Sequence, residues 1–260
     1  MEASVHLGFA SLNDPTTTPM LYALHGFTEN DESWAETLGG EIADLRCPLL
    51  PGHGSRPCPS GTTIKQAAAE LVARFPTEPV DLLGYSMGGR VALAVALDHP
   101  QRIRRLILVS CHGGIRDAAE RANRRKRDES LAQVLEEDGI GAFVAWWETQ
   151  STLKPYQPFS ATVAASVRAR RLNQEPLGLA GCLRSIGAGA MEPQWSRLST
   201  LRMPTLLVSG SADTRYRTLM DEMHTMIPGS RRDIVLRSGH AVHRERPQVI
   251  AQMVGAFLER

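Results

Sequence analysis

A serine placed between glycines, with a histidine and an aspartate far downstream, gives this chain its most specific chemical signature. Gly84-Tyr85-Ser86-Met87-Gly88 matches the pattern G-x-S-x-G, directly after the apolar run VDLL and before the helical run GGRVALAVAL. A side chain at a tight strand-to-helix turn needs small neighbours, and the flanking glycines remove clashes. Such a turn lifts the Ser86 hydroxyl above a sheet and aims the first helical N–H groups, that of Met87 among them, at a developing oxyanion. A serine used this way needs a base, and the base needs an orienting acid. His240 in Ser238-Gly239-His240 follows the strand-like DIVLR, and Asp213 follows LLVSGSA. Both therefore fall just past a strand end, where open parallel sheets gather their functional groups. Of the eight histidines, His6, His99 and His224 read as surface or packing residues. His112 and His243 fall near the expected site without the strand-end placement of His240. His53, in Pro51-Gly52-His53-Gly54-Ser55, reads as part of a shaping loop.

The elements that must position these groups follow from the rhythm of the sequence. Short apolar runs alternate with helical patterns, which predicts an α/β fold with a mostly parallel sheet covered on both faces. Strands are expected at residues 4–10, 20–24, 44–49, 80–85, 104–110, 205–209 and 233–236, and helices at 32–38, 63–75, 87–98, 216–226 and 247–258. Between residues 113 and 193 the pattern is helical throughout and dense in arginine. The expected division is a core of residues 1–112 and 194–260, with 113–193 as an inserted helical cap.

Composition bounds the function. The 260 residues carry a net charge of +1, so no global field favours nucleic acid or a membrane surface. The basic run ERANRRKRDES is interleaved with acids and reads as a cap helix. Cys47, Cys58, Cys111 and Cys182 show no metal-ligand spacing and are expected as reduced thiols of a cytoplasmic protein. No signal peptide and no apolar run of about 18 residues is seen. No metal site and no phosphate-cradling glycine loop is present in the pattern, so no cofactor is expected.

These segments resemble the α/β-hydrolase superfamily, and within it the chain is similar to the 2-succinyl-6-hydroxy-2,4-cyclohexadiene-1-carboxylate synthase (MenH) family. The likeness is carried by GYSMGGRVAL, ERANRRKRD, FVAWW followed by YQPF, RRLNQEPLGLAGCLR, GSADTRYR and GHAVHRERP. The spacing from Trp146 to Gln157-Pro158-Phe159 is longer than the family's compact form. The resemblance implies an α/β-hydrolase fold in which the His25-Gly26-Phe27 turn supplies a second oxyanion donor, the Phe27 N–H. It implies a lyase that eliminates pyruvate from a small tricarboxylate, with Arg90, Arg124 and Arg171 binding carboxylates. Arg125 and Arg127 are alternatives to Arg124. Tyr85, Trp146 and Phe159 would line the pocket. Two rival readings stay open: a serine hydrolase acting on esters or C–C bonds, and a non-catalytic receptor. Oligomeric state is not legible.

Overall fold

The computed structural model describes residues 20–259. Six parallel strands form one sheet in the order β2-β1-β3-β4-β5-β6: β1 (Leu21–Leu24), β2 (Leu45–Arg46), β3 (Val80–Tyr85), β4 (Ile103–Val109), β5 (Thr205–Gly210) and β6 (Arg231–Val235). The central strands are apolar along their length because both faces are covered. Leu82, Leu106, Leu108 and Leu207 face the cluster built by α2 (Ile64–Val72), α3 (Met87–Asp98) and α8 (Thr214–Met226). Their chain neighbours Leu83, Ile107, Val109 and Leu206 face the opposite cluster, built by α1 (Glu32–Leu38) and α10 (Pro247–Leu258). That alternation is the two-residue period of a strand expressed between two helical layers.

Between β4 and β5 the chain forms α4 (Ala118–Glu137), α5 (Gly139–Trp147), α6 (Ala161–Leu172) and α7 (Pro176–Ile186). Of these, α4, α5 and α7 share an apolar cluster of their own, including Leu135, Phe143, Leu179 and Leu183, against which Phe27 of the sheet's rim also packs.

Some boundaries differ from the sequence expectation. The strand expected at 44–49 is only Leu45–Arg46, because it runs into Pro48, which has no N–H to give. The strand expected at 233–236 starts two residues earlier, at Arg231. Its polar residues tolerate an edge position that hydrophobicity alone does not reveal. The helix expected at 63–75 is Ile64–Val72, with Thr63 outside it as a capping box with Gln66. The helix expected at 216–226 begins at Thr214, because the Asp213 carboxylate caps it by accepting from the Tyr216 N–H. The strand expected at 4–10 lies outside the described residues.

The strand order changes direction between β1 and β3, and it is at the carboxyl ends of such strands that ligand clefts form. The Phe27 turn follows β1 and Ser86 follows β3, so both flank the switch point.

Candidate active site

Ser86 joins β3 to α3 with φ 52° and ψ −109°, outside the ordinary regions for a residue with a side chain. The Ser86 N–H donates to Val109 O at 2.9 Å, and Ser86 O accepts from the Arg90 N–H at 3.2 Å. The strained residue is thereby fixed from both sides. Its hydroxyl donates to His240 Nε2 at 3.1 Å, and His240 Nδ1–H donates to Asp213 Oδ2 at 2.7 Å. His240 and Asp213 are buried, so this chain of hydrogen bonds is sheltered from water. The His240 ring also lies 4.3 Å from the Tyr216 ring and 5.3 Å from the Tyr85 ring, centroid to centroid. The adjacent Gly239 N–H is gripped by both oxygens of Glu245, at 3.0 and 2.9 Å.

The turn after β1 is braced in a way that leaves one amide over. Gly26 N–H donates to Glu29 Oε2 at 3.1 Å, and Thr28 N–H, at φ 66°, donates to His53 Nε2 at 3.1 Å. The Phe27 N–H between them has no acceptor among the described residues. Phe27 and Met87, the two residues whose N–H groups were expected as oxyanion donors, both line the same cavity beside Ser86. His53 and His25 are buried supports: His25 Nε2 accepts from the Leu50 N–H at 3.0 Å. Burial pushes His25 below the ordinary histidine range and His53 well below it, which keeps both rings as neutral acceptors.

Above the triad lies a cavity of about 780 Å³. Phe27, Tyr85, Ser86, Met87 and His240 line its floor; Trp146 and Phe159 come from the helical segment above. Asp213 stands behind His240, outside the lining. Arg90, Arg124 and Arg171 all reach the cavity, as do Arg127, Arg215 and Arg244, against two carboxylates among the described residues, Glu29 and Asp128. Arg90 is buried and donates from Nη1 to Ile186 O at 3.0 Å, so it both ties α7 to the nucleophile helix and presents charge to the cavity. Arg124 pairs with Asp128 at 2.8 Å and Arg171 with Glu148 at 3.2 Å. Burial, with Arg90 and Arg124 nearby, holds His112 down at about 3, so the ring at this wall is neutral. Burial raises Tyr85 well above and Tyr216 above the usual phenol range, and both hydroxyls stay protonated. Among the described residues no three His, Cys, Asp or Glu side chains group as metal ligands, and no helix is long and apolar enough to cross a membrane.

Tyr216, Arg215, Arg244 and Glu29 were not singled out from the sequence, whereas Arg127, which also reaches the cavity, stood as an alternative to Arg124. Spacing carried part of the signal for two of them: Tyr216 is three residues past Asp213 and Arg244 four past His240, each about one helical turn from a residue already suspected.

A profile described as alpha/beta hydrolase family matches residues 21–253. A Bacillus subtilis (strain 168) protein provisionally named 2-succinyl-6-hydroxy-2,4-cyclohexadiene-1-carboxylate synthase is 34% identical over 94% of this chain and 92% of its own length. The 2-succinyl-6-hydroxy-2,4-cyclohexadiene-1-carboxylate synthase of Escherichia coli O1:K1 is 27% identical over 90% of this chain and 92% of its own. The solved structure of MenH from S. aureus superposes with a TM-score of 0.88 at 30% identity, covering 94% of each chain.

Proposed function

The chain belongs to the alpha/beta hydrolase family, and from that premise we propose that it is a 2-succinyl-6-hydroxy-2,4-cyclohexadiene-1-carboxylate synthase. It acts as a lyase, eliminating pyruvate from 2-succinyl-5-enolpyruvyl-6-hydroxy-3-cyclohexene-1-carboxylate. The observation that carries this reading is a hydrogen-bonded Ser86–His240–Asp213 unit beneath a cavity with six arginines. A neutral ester has no use for such a lining, whereas a substrate with three carboxylates needs it.

The chemistry follows from the groups present. The ring proton beside the succinyl carbonyl is acidic, and its removal places negative charge on that carbonyl oxygen. The Ser86–His240 pair takes the proton, and Asp213 stabilises the imidazolium that results. Phe27 and Met87 N–H groups hold the enolate oxygen. As the electrons return, the ring double bond shifts and the bond to the enolpyruvyl oxygen breaks. The leaving group departs as the enolate of pyruvate, and a proton taken up at its methylene carbon, returned from the imidazolium, gives pyruvate. No acyl-enzyme is required. Arg90, Arg124 and Arg171 bind the carboxylates, and Tyr85, Trp146 and Phe159 shape the apolar wall.

On this reading residues 1–112 and 194–260 are the core and 113–193 the helical cap. We place the protein in the cytoplasm, where its four unpaired cysteines stay reduced. The test is direct. Purified protein given the enolpyruvyl precursor should release pyruvate, read as NADH oxidation through lactate dehydrogenase. Pyruvate no faster than the uncatalysed background, alongside brisk turnover of p-nitrophenyl esters, would assign the site to a hydrolase instead.

A further inference from the structure

The cavity's arginines are held in different ways. The side chains of Arg124 and Arg171 are 35% and 19% exposed, each with a carboxylate partner from the helices above the sheet. Arg244 is nearly sealed, at 9%, and belongs to the core: it lies in α9 (Val242–Glu245), directly after His240. Its Nε donates to Glu29 Oε1 at 2.8 Å, and its Nη2 donates to Ser33 Oγ at 3.1 Å. Nη1 has no acceptor among the described residues, and the side chain forms part of the cavity wall. Two bonds therefore fix the plane of the guanidinium and leave one edge of its fork to the cavity.

Glu29 is itself pinned. Oε2 accepts the Gly26 N–H of the oxyanion turn, and His243 Nε2 lies 3.3 Å from Oε1. Burial would raise this carboxyl, yet Arg244 and His243 together bring it well below the usual range, so it remains an anion. A buried ion pair is a poor way to gain stability, because apolar residues of similar volume serve as well or better. The pair also stands within a few residues of both the oxyanion turn and His240, where a fixed positive charge bears on an anionic substrate.

We propose that Arg244 is a further carboxylate-binding residue of this cavity, with Glu29 as the side chain that orients it. The assignment deepens the lyase reading and rests on it for the identity of the substrate. Its chemistry is a planar, pre-oriented donor meeting a carboxylate in a water-poor site, a geometry an ammonium cannot reproduce. Arg90 and Arg124, which bear on each other electrostatically, form one cationic group of the cavity; Arg244, bonded to Glu29, forms another. Two such groups suit a ligand whose carboxylates are spread around a ring.

The experiment compares wild type, Arg244→Gln and Arg244→Lys in pyruvate release, together with calorimetric titration of each protein by succinate, the dicarboxylate fragment of the substrate. Arg244→Gln should raise KM and weaken succinate by about tenfold or more, the loss expected for one charge-assisted hydrogen bond. Its kcat should fall by less than about threefold, the pattern of a contact made equally in ground and transition states. Arg244→Lys keeps the charge without the fork and should fall between; if Arg244→Gln does not fold, the lysine variant decides. A drop in kcat with KM and succinate binding unchanged would make Arg244 a strut for the Gly26 turn and overturn the proposal. If wild type releases no pyruvate, the lyase reading fails separately and succinate decides alone. Binding lost in Arg244→Gln upholds the site; binding unchanged, or absent from wild type, removes it.

Discussion

Ser86 is held where an L-residue pays a conformational penalty of about 1–3 kcal/mol. Hydrogen bonds to Val109 and from the Arg90 N–H sustain it, and the return on that strain is a hydroxyl already 3.1 Å from His240 Nε2. The penalty is met by the fold before substrate arrives, so the base needs no reorganisation during turnover. Replacing Ser86 with alanine removes the atom between substrate and imidazole while keeping the turn. We expect Ser86→Ala to lower kcat for pyruvate release by about 10²–10⁴, the range of a positioned base, with KM within about threefold. A kcat within tenfold of wild type would mean that His240 reaches the substrate unaided. At this scale much of the site was legible. Ser86, Asp213 and His240 each carry a local signature, a glycine-flanked turn or a polar residue after an apolar run. Arg244 and Tyr216 carry only a spacing of three or four residues from a suspected residue, because their places at the site arise when α8 and α9 fold back beside the triad.

The turn between β3 and α3 works because neighbouring elements approach it at backbone distance. A Cβ added at Gly88 would meet Leu24 O and His25 O at 2.5 Å, both belonging to β1 and its following turn, and backbone cannot step aside as a side chain can. Gly255, inside α10, is the contrasting case: a Cβ there meets nothing within 4 Å. Gly88→Ala should therefore destabilise by at least the ~1–3 kcal/mol of an overpacked core, and Gly255→Ala should stabilise by up to about 1 kcal/mol through helix propensity. Urea unfolding of both variants checks the pair, and equal effects would contradict the close approach of α3 to β1. Elements were legible where burial is two-sided. VDLLGY and RRLILV announce strands because both of their faces meet helices. The outermost strands among the described residues, β2 and β6, misled, since one of them is two residues long and the other is mostly polar. The arginine-dense helices between β4 and β5 were read correctly as helical, but which arginine faces inward depends on helix rotation, and composition cannot fix that.

Over the whole molecule, charge divides into groups that titrate near neutrality and groups that do not. The cavity's positive lining is guanidinium, which keeps its proton across the working range, so substrate attraction should be nearly independent of pH. Stability should not be. His25, His53, His112 and His243 are buried, and burial depresses all four below the ordinary value of 6.5. In the unfolded chain each takes up a proton near pH 6.5, while in the fold each stays neutral until its lower value is reached, about 3 for His112. The unfolded state then binds more protons, so the stability present above pH 6.5 is lost as the pH falls from there toward the folded values. Each fully neutral histidine contributes a slope of about 1.4 kcal/mol per pH unit in that window. Glu29 adds to the same trend at lower pH: its folded value is depressed, so its contribution is present above about 4.5 and fades on further acidification. Urea denaturation at pH 7.5, 6.0 and 5.0 should show a stability that is flat above pH 7 and falls steeply below 6.5. His53→Gln retains an acceptor for the Thr28 N–H and should reduce the slope by about one proton. An unchanged slope in that variant, or a stability that does not respond to acid, would show that these rings reach water in the native state and that the oxyanion turn is braced by something other than neutral histidines.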